Sequence, residues 1–216
     1  MTPINAFHSL ILPFVHDCSP IAAEIAARQA LIEFCVASEW VQFECDPLTI
    51  QAGVNTYEIE TEQDQLCTRV LRAVVVDESG AELRLSFKTQ DELDARYPDY
   101  RTRTGPPQLY TQITPDEIIL VPTPTVRVVA GLRMIVATQP TQDAAEVDDT
   151  LFQRWAEAIA YGARGRLKGM SGQPYYDPAA AQVEMAQFRA WVSRAKLERT
   201  RDLGRPNRTV QMREWI

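Results

Sequence analysis

The hydrophobic period along the chain is helical, then alternating, then helical again. Residues 5–15 form a short apolar stretch interrupted by Pro13. Beyond it, Ser19 can cap a helix and Pro20 suits the first helical position. Ile21, Ile25, Ile32, Cys35, Val36 and Trp40 then recur at three- and four-residue spacing, the signature of one helix face. With the high density of alanine, this predicts a helix over about 20–41. The period then shortens. "NTYEIE" alternates, "RVLRAVVVD" is β-branched, and "LRLSF" alternates again, which predicts a hairpin around Glu78–Ala81. "TQDELDARYPDY" has Thr89 as a cap and acids in its first turn, so it reads as a short helix ending near Pro98. "EIILV" and "VVAGLRMIVATQP" read as further strands, with Gly131 marking a bulge or close contact.

The helical period returns after Asp148 and Asp149, either of which can open a helix. Leu151, Trp155, Ala158, Ile159 and Gly162 share one face. Asp177-Pro178 caps and starts a last helix, on which Ala181, Met185, Phe188, Val192 and Ala195 share a face to about Arg201. Gly204 and Pro206 then stop it. The resulting fold class is α+β. Helices from both chain ends (1–43 and 148–202) form a discontinuous bundle, an antiparallel β domain (44–147) is inserted between them, and 203–216 is an extended C-terminal tail.

The stretch "YGARGRLKGMSGQPYYDP" at 161–178 raises a choice between a phosphate-cradling loop and a helix hinge. A phosphate loop needs glycines after a strand and before a helix. Here no strand precedes them and no GK[ST] occurs. Gly162 and Gly165 each cost about 1 kcal/mol relative to Ala inside a helix. Close packing beside Trp155 and Ile159 accounts for that cost. Gly169 or Gly172 then ends the helix and Asp177-Pro178 starts the next, so the stretch reads as a hinge. Its lysine and arginines are expected to face a neighbour or solvent.

No other constellation asks for chemistry. The only histidines, His8 and His16, flank Pro13, and neither a GxSxG elbow nor an HExxH is present. Asp64, Asp77, Glu78 and Asp91 are scattered in turns, and Asp148 and Asp149 read as caps. Cys18, Cys35, Cys45 and Cys67 form no CxxC pair, so reduced thiols are expected, with no metal, cofactor or catalytic set. No apolar run approaches the roughly 20 residues of a membrane span, and no basic region precedes the N-terminal apolar patch of a would-be signal peptide. The net charge of −7 is uneven. Residues 154–216 carry twelve Lys/Arg against six Asp/Glu, whereas the rest is strongly acidic. Such a molecule can meet partners of opposite sign at its two ends. The basic end could follow nucleic-acid phosphates, but no DNA-binding motif is present.

The whole order, with "ARQALIEFCVASEWVQ", "LDARYPDYRTRTGPPQLYTQI", "EIILVPTP" and "WAEAIAYGARGRLKGMSGQPYYDPAAAQVEMAQFRAWVSRA" ahead of a basic tail, resembles the head-to-tail adaptor (connector or neck) proteins of tailed bacteriophages. The resemblance is in role to the tail tubular A proteins. It implies a structural protein of the virion neck, made in the bacterial cytoplasm, without enzymatic activity. It implies a homo-oligomeric ring, usually a dodecamer, on the portal protein. Such a ring extends the channel through which genomic DNA slides without sequence-specific binding, and it docks a downstream tail or nozzle protein. No membrane is involved. Carried over here, the tail that reaches the portal is Leu203–Ile216, with Leu203, Arg205, Arg208, Arg213, Trp215 and Ile216 as its contacts. The alternatives are a tail-tube or tail-terminator protein, or a DNA-binding packaging protein.

Overall fold

The computed structural model describes residues 1–77 and 79–200. The chain opens with a two-residue strand, β1 (Thr2–Pro3), then 3-10 turns at Ile4–Phe7 and Leu12–Phe14 flanking α1 (His8–Ile11). Helix α2 is Pro20–Ser38. Strands β2 (Gln42–Glu44), β3 (Leu48–Ile50), β4 (Thr56–Glu58), β5 (Gln65–Val76), β6 (Glu82–Arg84) and β7 (Ser86–Phe87) lead to α3 (Gln90–Arg96). Strands β8 (Leu109–Thr111), β9 (Glu117–Val121), β10 (Val128–Pro140) and β11 (Glu146–Val147) lead to α4 (Asp149–Lys168) and α5 (Pro178–Thr200).

The architecture is mixed α+β. One sheet runs β2-β10-β5-β6 with β3 also on β10, and a second runs β4-β9-β8-β7. A third pairs β1 with β11, joining the chain's start to the approach of α4, which the hydrophobic pattern did not predict. The named pairs are antiparallel except β7–β8, which is parallel and departs from a wholly antiparallel unit. Its physical reason is the connection. Helix α3 and the loop after it lie between the two strands, a crossover long enough to bring the chain back in the same direction. The expected close contact at Gly131 is present. A Cβ there would lie 2.9 Å from that of Val128, where the β10–β3 register shifts.

Two apolar clusters hold these elements. One gathers Phe7, Ile11, Ala27, Phe34, Trp155, Ile159 and Phe188 from the helices at both ends of the chain. The other lies between the two larger sheets, around Val70, Ala73, Ile118, Leu120, Leu132 and Val136. Cys35 is fully buried in the first, and burial, reinforced by the Asp148 charge, pushes its thiol up to about 12. Cys45 in the second is pushed up to about 11, chiefly by burial. All four cysteines are free.

Helix α2 requires one correction. It ends at Ser38, short of 41, because Glu39 turns left-handed at φ 52° and its N–H closes on the Cys35 carbonyl. After that turn Trp40 meets Trp155 edge-to-face, with ring centroids 5.0 Å apart. The structure also shows which face of the helix is buried. The side that α2 buries is Ala23, Ala26, Ala27, Ala30, Leu31, Phe34 and Cys35. Of the residues whose spacing marked the helix, Ile21 is 73% exposed, Ile25 46% and Val36 47%, and Ile32 is half-buried. Alanine wins the inner face because it lets α4 approach closely. The branched side chains are left on the outside.

Candidate functional site

The stretch 161–178 is the C-terminal half of α4, a turn and the start of α5. Trp155 and Ile159 are buried. A Cβ on Gly162 would come within 2.9 Å of the Phe188 ring and 3.0 Å of the Ala30 Cβ, so α2, α4 and α5 meet at this glycine. At Gly165 a Cβ would press on Met185 Cγ at 2.8 Å. Gly169 is the C-cap of α4. Gly172 sits at φ +81° with open space around it, so it serves conformation, not packing. The Asp177 carboxylate accepts the Ala180 N–H at 2.9 Å, and Pro178 takes the first helical position.

The basic groups of this stretch do not face solvent or a neighbour, contrary to expectation. The Arg164 side chain is 7% exposed and pairs with Glu184 at 3.1 Å. It donates to the Leu10 carbonyl at 3.0 Å and lies between the Phe14 and Tyr161 rings at 4.5 Å each. Lys168 holds the other Glu184 oxygen at 3.1 Å, and Arg166 reaches Glu33 on α2. These cations tie α4 to α5, α2 and the turn around α1. A buried guanidinium needs such partners, since an unpaired one carries a desolvation penalty of several kcal/mol. Spacing alone could not supply the acids, which lie 16 or more residues away.

Trp155 is the aromatic centre. It contacts Phe34, Trp40 and Trp191 with centroids at 5.5, 5.0 and 6.2 Å, and Arg154 lies 4.9 Å over Trp40. Its Nε1 is buried without a partner among the described residues.

The carboxylates suspected in turns are held by the backbone or by caps. Asp77 accepts from the Ser79 hydroxyl at 2.6 Å and from the Ser79 and Ala81 amides, and these bonds, led by the hydroxyl's, hold it below the usual carboxylate range. Asp148 caps α4 through the Thr150 N–H at 2.7 Å. Asp149 accepts from the Thr2 hydroxyl at 2.6 Å and pairs with the N-terminal ammonium at 3.1 Å, and both interactions lower it. Among the described residues no group of His, Cys, Asp and Glu is arranged to hold a metal ion, and no helix is long and apolar enough to cross a membrane. The tail residues Leu203, Arg205, Arg208, Arg213, Trp215 and Ile216 lie outside the described residues.

Folding also leaves apolar side chains on the surface. One apolar surface is the outer face of α2, where Ile21, Ile25 and Val36 stand in solvent with Ile32 beside them. On α5, Val183 and Leu197 are exposed likewise. Sequence spacing found the α2 stripe but did not say which way it faces. An apolar stripe outside a core already filled by the same helix fits a protein partner.

Comparison with curated proteins finds no match. A family model described as SU10 adaptor protein matches residues 19–210, from the cap of α2 into the basic tail. The match agrees with the resemblance to phage head-to-tail adaptors, and the chain belongs to the SU10 adaptor protein family.

Proposed function

We propose that this adaptor assembles as a homo-oligomeric ring, a dodecamer, beneath the portal of a tailed phage. The ring extends the DNA channel and presents the docking surface for the next tail or nozzle protein. Its working division is a helical unit from 1–43 and 148–202, an inserted β unit over 44–147, and a tail over 203–216 that docks on the portal. In this reading the interhelical residues from Trp155 to Pro178 stiffen the helical unit, and Arg205, Arg208, Arg213 and Trp215 anchor the tail. Arg and Trp are the residues that most often carry interface energy.

The observation that carries this reading is the α2 outer face in a chain of an adaptor family. Three branched aliphatics stand exposed on a helix whose opposite face is already packed, which suits burial against a neighbouring copy. A ring repeats each modest contact around its circumference, so no single interface need be large. The acidic excess of the body fits a channel that must not bind DNA. Deleting 203–216 tests the tail. Recruitment to portal-bearing capsids is expected to fall to background, and unchanged recruitment contradicts the tail assignment. Pull-down on purified portal, against purified tail protein, tests which partner binds first.

A further inference from the structure

Where the ends of α2 and α5 meet the sheets, a cleft of about 490 Å³ opens between the helices and strands β5, β6 and β8. Arginines dominate its lining: Arg69, Arg72, Arg84 and Arg199, with Glu39 and Tyr110. Glu39 bridges two of them, with Arg199 at 2.6 Å and Arg69 at 3.3 Å. Arg72 and Arg84 pair with no carboxylate among the described residues, and Arg199 Nε is buried without a hydrogen-bond partner. Burial raises the Tyr110 hydroxyl, and the charges of Arg69 and Arg84 pull it partly back, which marks the cleft as electropositive. The cleft holds one carboxylate and has guanidinium groups left for more.

The backbone fixes the spacing of the free pair. Arg84 lies directly opposite Val74, two residues along β5 from Arg72. Ala73 and Val75 point into the sheet core, so Arg72, Val74 and Arg84 share the outer face. This diagonal relation sets the two arginines about 7–8 Å apart. Elsewhere, Tyr57 and Ile59 are buried while Glu58 and Glu60 are exposed, and the Ile59 N–H donates to the Asp116 carbonyl at 2.8 Å. The alternation and that bond describe extended chain, on which alternate side chains repeat at about 6.6–6.8 Å. Glu58 and Glu60 form no ion pair among the described residues. The segment they open ends at Asp64, which lines a separate crevice with Val41, Val147 and Leu151.

We infer that the arginine cleft takes the Glu58–Asp64 segment of a second copy of this chain, Arg72 and Arg84 receiving the Glu58 and Glu60 carboxylates. The contact is heterologous, since cleft and segment are different surfaces of one chain. It rests on the ring reading and names a polar half of the side-to-side contact. The basic stretch after Thr200 has the wrong sign to fill the cleft. A protein segment is favoured over DNA because the alternate carboxylates of an extended strand match the spacing of Arg72 and Arg84.

Sedimentation velocity on the full chain at low salt tests this. Arg72→Glu/Arg84→Glu and, separately, Glu58→Arg/Glu60→Arg are each expected to weaken self-association about tenfold or more. Mixing the two variants makes both contacts between unlike copies complementary, native cleft with native segment and reversed cleft with reversed segment, so association returns in the mixture although neither variant associates alone. Placing all four reversals in one chain restores association. If the wild-type chain associates and neither reversal weakens it, the cleft assignment is overturned and the ring reading stands. If the wild-type chain stays monomeric both at high concentration and on portal-bearing capsids, the ring reading falls and the cleft assignment with it.

Discussion

Helices α2 and α4 lie side by side in one core, yet they divide their residues in opposite ways. On α4 the large residues Leu151, Trp155 and Ile159 face inward and the glycines mark the points of closest approach. On α2 small residues line much of the inner face, and Ile21, Ile25 and Val36 stand outside. Size and burial coincide on the first helix and part company on the second. Two helices can pack closely only if one of them yields volume, and α2 yields it through alanine. A helix that is apolar on both sides has a second face to bury, which the proposed ring places against another subunit.

This contrast can be broken most strongly on the α4 side. Glu184→Ala strips the partner from both Arg164 and Lys168 and is expected to cost about 3 kcal/mol in urea unfolding. A loss near zero would mean that these cations re-pair without effort. Gly162→Ala comes next. Helix propensity favours alanine by about 1 kcal/mol, but the rigid Phe188 ring and Ala30 cannot both retreat, so a net loss of about 1–2 kcal/mol is expected. Gain of stability would show that the three helices do not meet there.

Cys35 probes the same buried face through pH. Its folded thiol is raised to about 12, above the ordinary value of 9.0, so its stabilising contribution is complete below about pH 9 and is lost as pH rises toward 12. The stability difference between wild type and Cys35→Ala should therefore narrow between pH 8 and pH 11 in thermal unfolding. A constant difference contradicts burial of that thiol. The smallest effect separates neighbouring positions on one helix. A Val36→Cys thiol should react with a disulfide reagent at near-peptide rates in the folded chain, whereas Cys35 reacts only on unfolding.

Much of this was legible in the residue order. Ser19-Pro20, Thr89 and Asp177-Pro178 announce helix starts through their own side chains, and each caps as expected. The face of α4 was readable because its apolar residues cover one side only. The face of α2 was not, because periodicity reports which residues align and not which side meets a neighbour. The ion pairs of Arg164 and Arg166, and the Glu39 bridge between Arg69 and Arg199, join positions far apart in the chain and leave no local signal. The parallel β7–β8 pair was likewise hidden, since strand direction depends on the path of the connection.

The central claim is that the α2 outer face exists for a neighbouring copy and not for the fold. The direct measurement is the occupancy and symmetry of the adaptor layer on portal-bearing particles made with Ile21→Lys/Ile25→Lys, imaged beside wild type. Both positions are exposed, so the variant's own stability should change by no more than about 0.5 kcal/mol. The account predicts a stable protein that leaves the layer absent or broken. A complete ring at wild-type occupancy would contradict it.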